Sequence, residues 1–420
     1  MALKLCLHGV QIAHPETFSA DVAKQLKLTV KQGKLQVKEY GENRSARFRR
    51  NKLRGSALLP FKVRTVEGIV LVDSHLYDLR DVIFVFRPGS EKQVMAAVRK
   101  LLAGKDRFVV VEPDMRLRLN AMAGKPYPRV SPDTDRLQAM RQYFDWQVYA
   151  ISWYWHLLYG DTANARLVRQ LRVRIRRLRS CFVFFREGLS EEEVTSWQQF
   201  FREEADALSN LRELDAAALT CRRMESPDGQ AGASTQALLD VFLQLREDEV
   251  KKLTTRADLN RHTERLAEFL LWLYLLPMRF PKGAIRETAR RYAERRIVGW
   301  CDKMVSLNQK YPDFSDMDDL HKIRIRVKRF RYVTQTIDLV KLPVDVLRQL
   351  KQLQDVLGLL HDDYVNSIWA RGIARQRPHE AELQQQIQAF ISWQSARSES
   401  LLALVAEMWE HFLQMLEENR

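Results

Sequence analysis

The sequence predicts a mainly α-helical protein, two pseudo-twofold-related four-helix bundles preceded by a small N-terminal α+β module. Three observations predict it. Gly and Pro are scarce, 16 and 13 in 420 residues, which suits long helices and disfavours a turn-rich β chain. Near residue 125 the texture changes from short β-like runs to helical periodicity. Two blocks of the helical part then recur in the same order, the mark of an internal duplication. With 46% apolar and 10% aromatic residues, wholesale disorder is excluded.

Residues 1–125 form the α+β module. Lys27 to Val30, Lys34 to Tyr40, Leu58 to Arg64, Ile69 to Val72, Val82 to Phe86 and Phe108 to Val111 read as strands. Gln32-Gly33 between the first two predicts a hairpin. One helix interrupts them at Glu91 to Gly104, with Val94, Val98 and Leu101 on one face and Gly104 as its stop. Three prolines within Gly124 to Asp133 mark an interdomain linker, taken as 126–132.

From 133 to 420 the pattern is helical, and a Gly/Ser/Pro-containing break at Glu225 to Thr235 divides it into halves of about 133–225 and 236–420. Helices are predicted at roughly 133–159, 164–187, 190–223 and 234–277, the last broken near 255, then at 281–308, 317–340, 343–371 and 380–417. Asp145 to Gly160 and Glu268 to Leu276 are apolar nearly all round, which predicts burial on several sides. Leu167 to Ser180 lies over Leu320 to Val333 with an offset of 152 or 153 residues, and Phe201 to Asp215 lies over Leu350 to Tyr364 with an offset of 149. Equivalent helices of the two halves should therefore face each other.

The chain carries a net charge of +15 and a pI near 9.7, so it expects a polyanion: nucleic acid, an anionic membrane surface or a phosphate polymer. Membrane insertion is not expected, since the longest apolar run, Phe269 to Leu276, has eight residues against the roughly 20 a spanning helix needs. The first residues lack the apolar core of a signal peptide. Cys6, Cys181, Cys221 and Cys301 are far apart and form no CxxC pair, so reduced thiols and a cytoplasmic location are expected, without disulfide or zinc.

The positive charge is concentrated in the two repeated helices. Arg166, Arg169, Arg172, Arg174, Arg176, Arg177 and Arg179 contain no acid among them, nor do Lys322, Arg324, Arg326, Lys328, Arg329 and Arg331. Arg169, Arg172, Arg176 and Arg179 follow i, i+3, i+7, i+10, one stripe of about 15 Å; His321, Arg324, Lys328 and Arg331 repeat it. Leu171, Ile175, Leu178 and Phe182, with Ile323, Val327 and Phe330, make the apolar stripes that fix them. Like charges at these spacings repel, and a solvated face would interleave acids. Two such stripes facing across a bundle axis would converge on one basic cavity able to hold a compact polyanion. His321 heads one row as a phosphate donor whose pKa a bound anion would raise.

The string formed by His321, Arg324, Lys328, Arg329, Arg331 and Tyr332 resembles the signature of the CHAD family, the conserved-histidine α-helical domains. Leu350 to Asp363 is similar to the family's downstream Leu/Gly segment, and Arg172 to Ser180 with Leu208 to Asp215 resemble its N-terminal copy. The resemblance covers about 133–420 and implies a basic central cavity that binds inorganic polyphosphate. Carried over by position, the ligand residues are Arg172, Arg176, Arg179, His321, Arg324, Lys328 and Arg331, with Arg202 and Lys351 from adjoining helices; Arg169 stands where the family's usual His would fall. The Glu-x-Glu-x-Lys strand of fused triphosphate-tunnel modules is missing from residues 1–125.

The expected function is thus polyphosphate binding by a non-enzymatic, cofactor-free protein, in targeting or on polyphosphate granules. A nucleic-acid binder using the same helices is the alternative, disfavoured by the few aromatics interleaved with the cations. A phosphohydrolase using His321 is third, since no acidic cage or nucleophile–base pair accompanies it. Arg286 to Arg296 carries interspersed Glu287 and Glu294 and reads as a salt-bridged surface. Asp313 to His321 could be imagined as a metal loop but reads rather as N-terminal capping of the basic helix, and His361 to Tyr364 keeps a minor reading as a divalent-ion site.

Overall fold

The computed structural model describes residues 2–55, 59–123, 129–162, 164–225, 234–256, 258–280, 287–310 and 317–418. The chain divides into two compact units that interleave in sequence. The first holds Met1–Val130, Thr134–Gly160 and Ala257–Arg286; the second holds Ser131–Asp133, Asp161–Arg256 and Glu287–Arg420.

The first unit is built on an antiparallel sheet of β1 (Leu3–Gln11), β2 (Thr29–Lys31), β3 (Leu35–Glu39), β4 (Arg44–Arg54), β5 (Phe61–Val72), β6 (His75–Phe86) and β7 (Arg107–Val111). The strand order is β2-β4-β5-β6-β1-β7, with β3 also paired to β4. The predicted hairpin of β2 with β3 does not form. Both strands pair with β4, Val30 opposite Leu53 and Val37 opposite Arg47, as two segments of one edge. Gly33 lies between them because the chain passes close to β4. A Cβ there would meet the Arg50 carbonyl oxygen at 2.0 Å, and its N–H donates to Asn51 Oδ1 at 2.9 Å.

Helices α1 (Phe18–Leu26) and α2 (Glu91–Leu102) cover one face of this sheet. Val94, Val98 and Leu101 of α2 are fully buried, as its 3.6-residue spacing requires. Helix α3 (Met115–Met122) places Leu119 against Phe48, Val66 and Leu79. Helices α4 (Arg136–Gly160) and α9 (Leu259–Leu275) pack on β7 and on each other. Asn260 and Thr263 of α9 bond the backbone around Phe108, and the Tyr149 and Tyr274 hydroxyls meet at 3.0 Å. The near-continuous apolar surface of these two helices is thus used against the sheet, so packing units do not follow the linker at 126–132.

Buried beneath α3, Asp81 bridges His8 Nδ1 and Arg118 Nη1, both at 2.7 Å. Burial pushes its carboxyl pKa up, but Arg118 and the His8 hydrogen bond outweigh that and hold it at about 2.

The second unit contains α5 (Ala165–Phe185), α6 (Glu191–Asp206), α7 (Ser209–Glu225), α8 (Gln236–Arg256), α10 (Ala289–Lys310), α11 (Met317–Thr336), α12 (Val344–Gln376) and α13 (Ala381–Glu418). Repeat mates touch: α5 packs on α11, α7 on α12 and α8 on α13. That is the contact pattern a pseudo-twofold duplication demands. Local signals set the boundaries: the Asn164 side chain caps α5, and the Ser190 hydroxyl caps α6 ahead of three glutamates. The first-half counterpart of continuous α12 is broken at Ala207–Leu208 into α6 and α7.

Residues 124–128 of the linker, 226–233 of the break, 281–286 before α10 and 313–316 of the acidic run lie outside the described residues. Cys6, Cys181, Cys221 and Cys301 are all buried. Among the described residues, no helix is long and apolar enough to cross a membrane.

Candidate functional site

Helices α5 and α11 bury their apolar stripes: Leu171, Ile175, Leu178, Phe182, Val327 and Phe330 have no exposure, and Ile323 has almost none. On the neighbouring faces, Arg176 of α5 comes within electrostatic reach of Arg324 and Lys328 of α11. Arg324 is only 8% exposed, yet it has no hydrogen bond or ion pair to another side chain among the described residues, and its Nε is buried without a partner. Burial, then Arg176, lowers its pKa to about 10. Lys328 is pushed well below the ordinary lysine value by burial, then by Arg324 and Arg176, and it too lacks an ion pair. A buried cation without a counter-ion costs several kcal/mol. Arg324, buried, and Lys328, half-buried, meet Arg176 of the opposite repeat, and Asp362, itself paired with Arg212, only partly offsets their repulsion.

Arg172, the repeat mate of Arg324, is placed differently. Its Nη1 donates to the Ala205 carbonyl at 2.5 Å and to Ser209 Oγ at 2.8 Å, fastening α5 to the break between α6 and α7. Burial, then Arg176 and Arg212, brings its pKa to about 9. Arg179 donates to Gln198 Oε1 at 3.3 Å; burial lowers its pKa, followed by Arg329. Arg331 lies 3.6 Å from Asp355, and Arg202 lies 3.5 Å from Asp206 on an exposed stretch of α6. Arg169 and Lys351 are exposed, with no ion pair among the described residues.

His321 is exposed at the head of its row, and its ring stacks on His361 of α12 with centroids 5.6 Å apart. Burial, then Arg324 and Lys328, lowers its pKa in the ligand-free protein. The same field, after burial, brings His361 to about 4. Asp362 is held at about 2 against its own burial by the neighbouring His361, whose Nδ1 lies 3.7 Å away, and by Arg212, whose Nη2 donates to it at 3.0 Å.

The structure thus brings together Arg172, Arg176, His321, Arg324 and Lys328, and adds Arg212, His361 and Asp362, which sequence reasoning did not select. The repeat offset of 149 places Arg212 over His361 and was the signal that could have found them. The minor metal reading of His361 to Tyr364 loses its donors, because Asp362 pairs with Arg212 and Asp363 with Arg397. In α10, Arg295 pairs with Glu287 and Glu187, as expected of a salt-bridged surface.

A family model described as the CHAD domain matches residues 132–371. Two solved structures share the fold. The CHAD domain from the plant Ricinus communis is 17% identical, with 67% of this chain and 94% of that chain covered and a TM-score of 0.54. PptA from Streptomyces chartreusis is 15% identical, with 66% and 100% covered and a TM-score of 0.52. A comparison with curated proteins finds no match. The basic repeat helices, the contacts between repeat mates and a family match over more than half the sequence lead to one assignment: the chain belongs to the CHAD domain family.

Proposed function

We propose that the α5/α11 cation cluster binds inorganic polyphosphate, the ligand associated with the CHAD family, in a basic cavity between the two repeats. The observation that carries this reading is the pair Arg324, buried, and Lys328, half-buried, beside Arg176, with no ion pair of their own among the described residues. A chain of phosphates supplies the missing countercharge along both rows, and guanidinium groups bond its oxygens in pairs. Arg176, Arg324 and Lys328 would make the central contacts. Arg179, Arg331 and His321 extend the rows, and Arg169, Arg202 and Lys351 meet the polymer where it leaves toward solvent. The role is binding, in targeting or on granules, without bond-breaking chemistry.

Competition at fixed salt tests it. Long-chain polyphosphate should displace single-stranded DNA, with poor displacement in reverse, and Arg324→Gln with Lys328→Gln should weaken binding at least tenfold with helical content intact. Equal competition per charge would favour a nucleic-acid ligand, and phosphate release by the pure protein would favour hydrolysis.

A further inference from the structure

The sheet of the first unit carries a second cation cluster, to which no role has been assigned above. Lys31 of β2 stands directly opposite Lys52 of β4, which stands directly opposite Arg64 of β5. Three cations thus occupy one row across three strands. Arg50 and Arg54 lie two residues either side of Lys52, and Lys62 lies two residues from Arg64, so strand alternation puts all six on the same face. All six are exposed, whereas the intervening Asn51, Leu53, Phe61, Val63 and Thr65 are buried on the opposite face, which fixes the direction of each.

Like charges directly opposite in neighbouring strands destabilise a sheet. Acids on the same face would relieve the repulsion, but β2, β4 and β5 supply none there, and Asp81 of the next strand is buried and engaged by His8 and Arg118. β2 and β4 contain no Asp or Glu, and β5 contains only Glu67, which lies on the other face and accepts from Asn51 at 3.0 Å. None of the six forms an ion pair among the described residues. Aromatic rings meet the cluster at its Arg50 end, where the guanidinium covers buried Phe48 and acts on half-buried Tyr40, but the exposed residues of β2 and β4 and those around Arg64 include none, so the central row offers no ring on which a base could stack. Six cations fall within about 10 by 13 Å, from strand spacing and rise. That density suits a polymer with a charge on every unit.

We propose that this face, centred on the Lys31–Lys52–Arg64 row, is a second polyphosphate-binding surface, independent of the helical cluster. It rests on the preceding functional reading for the class of ligand only.

Titration of the full-length protein with long-chain polyphosphate at several salt concentrations tests it. In the Arg324→Gln/Lys328→Gln protein, residual binding should persist, and adding Lys52→Gln/Arg64→Gln should reduce it at least tenfold. In the otherwise unchanged chain, Lys52→Gln/Arg64→Gln should lower the slope of log affinity against log salt by about 1 to 2. Arg54→Gln/Lys62→Gln provides an independent pair should the first variant fail to fold, as circular dichroism would show. An unchanged slope and affinity in a folded sheet variant would overturn the second surface while leaving the helical site standing. Loss of all binding on removing Arg324 and Lys328 would overturn it as well. Binding that survives their removal at full strength and disappears with the sheet substitutions would support the surface and sink the helical reading. Displacement from the helical-cluster variant by single-stranded DNA, charge for charge, would overturn polyphosphate as the ligand here.

Discussion

His321 of α11 and His361 of α12 stack with their ring planes 28° apart, and the duplication places arginines, Arg169 and Arg212, at the matching positions of the first half. One repeat therefore carries fixed charge where the other carries groups that titrate. In the ligand-free protein both imidazoles are held neutral at pH 7, because burial, Arg324 and Lys328 lower their pKa, while Asp318 and Asp362 only partly oppose this.

Binding of a polyanion reverses the sign of that field. Proton uptake should accompany polyphosphate binding, and affinity should rise as pH falls from 7 to 5, by roughly three- to tenfold, since one pKa unit corresponds to about 1.4 kcal/mol. Calorimetry in buffers of different ionisation enthalpy reads the proton uptake. His321→Gln/His361→Gln should abolish both the uptake and the pH slope, while keeping part of the affinity.

Stability of the free protein should slope the opposite way. A histidine at about 4 when folded binds its proton in the unfolded chain first, from its ordinary value near 6.5 downward. His361 therefore contributes a loss of stability as pH falls from about 6.5 toward 4, and His156, also brought to about 4, adds to it. Urea denaturation at pH 7 and pH 5 should show the loss, and His361→Gln should shrink it.

In the first unit, Asp81→Asn should be severely destabilising, by about 3–5 kcal/mol, because it leaves Arg118, 5% exposed, as an uncompensated buried charge. Asp81 titrates near 2, so its contribution is fully present above its ordinary value near 4 and fades as pH falls through 2. Asp81→Asn/Arg118→Met should recover much of the loss in thermal unfolding.

Much of this was legible in the sequence. The helices of the second unit announce themselves through 3.6-residue apolar spacing and polar caps, and α5 and α11 through their acid-free stripes. β1 was missed because Leu3, Leu5, Cys6, Leu7 and His8 are all buried, so the strand shows no alternation. β4 was missed because its six basic residues mask the buried Ala46, Phe48, Asn51 and Leu53. Whether an apolar helix packs against a sheet or a bundle is decided by tertiary partners, and nothing local in α4 or α9 encodes it. The cation rows were readable; the separate job of Arg172 was not, because it depends on where the break between α6 and α7 falls.

Arg172 and Arg324 occupy the same position of the two repeats, and their removal should move stability in opposite directions. Arg172 donates to the Ala205 carbonyl and the Ser209 hydroxyl, so Arg172→Met leaves polar groups at the helix break under-satisfied and should cost about 1–3 kcal/mol. Arg324 has no such partners, and its charge is buried beside those of Arg176 and Lys328. Arg324→Met keeps the aliphatic bulk and removes that repulsion, so the free protein should gain about 1–2 kcal/mol. The gain should vanish when polyphosphate is present, because the variant loses the ligand that stabilises the wild-type chain by mass action. Thermal unfolding of both variants, with and without polymer, measures all four quantities. If Arg324→Met destabilised the free protein as much as Arg172→Met, Arg324 would be a structural residue and the cation cluster would lose its central member.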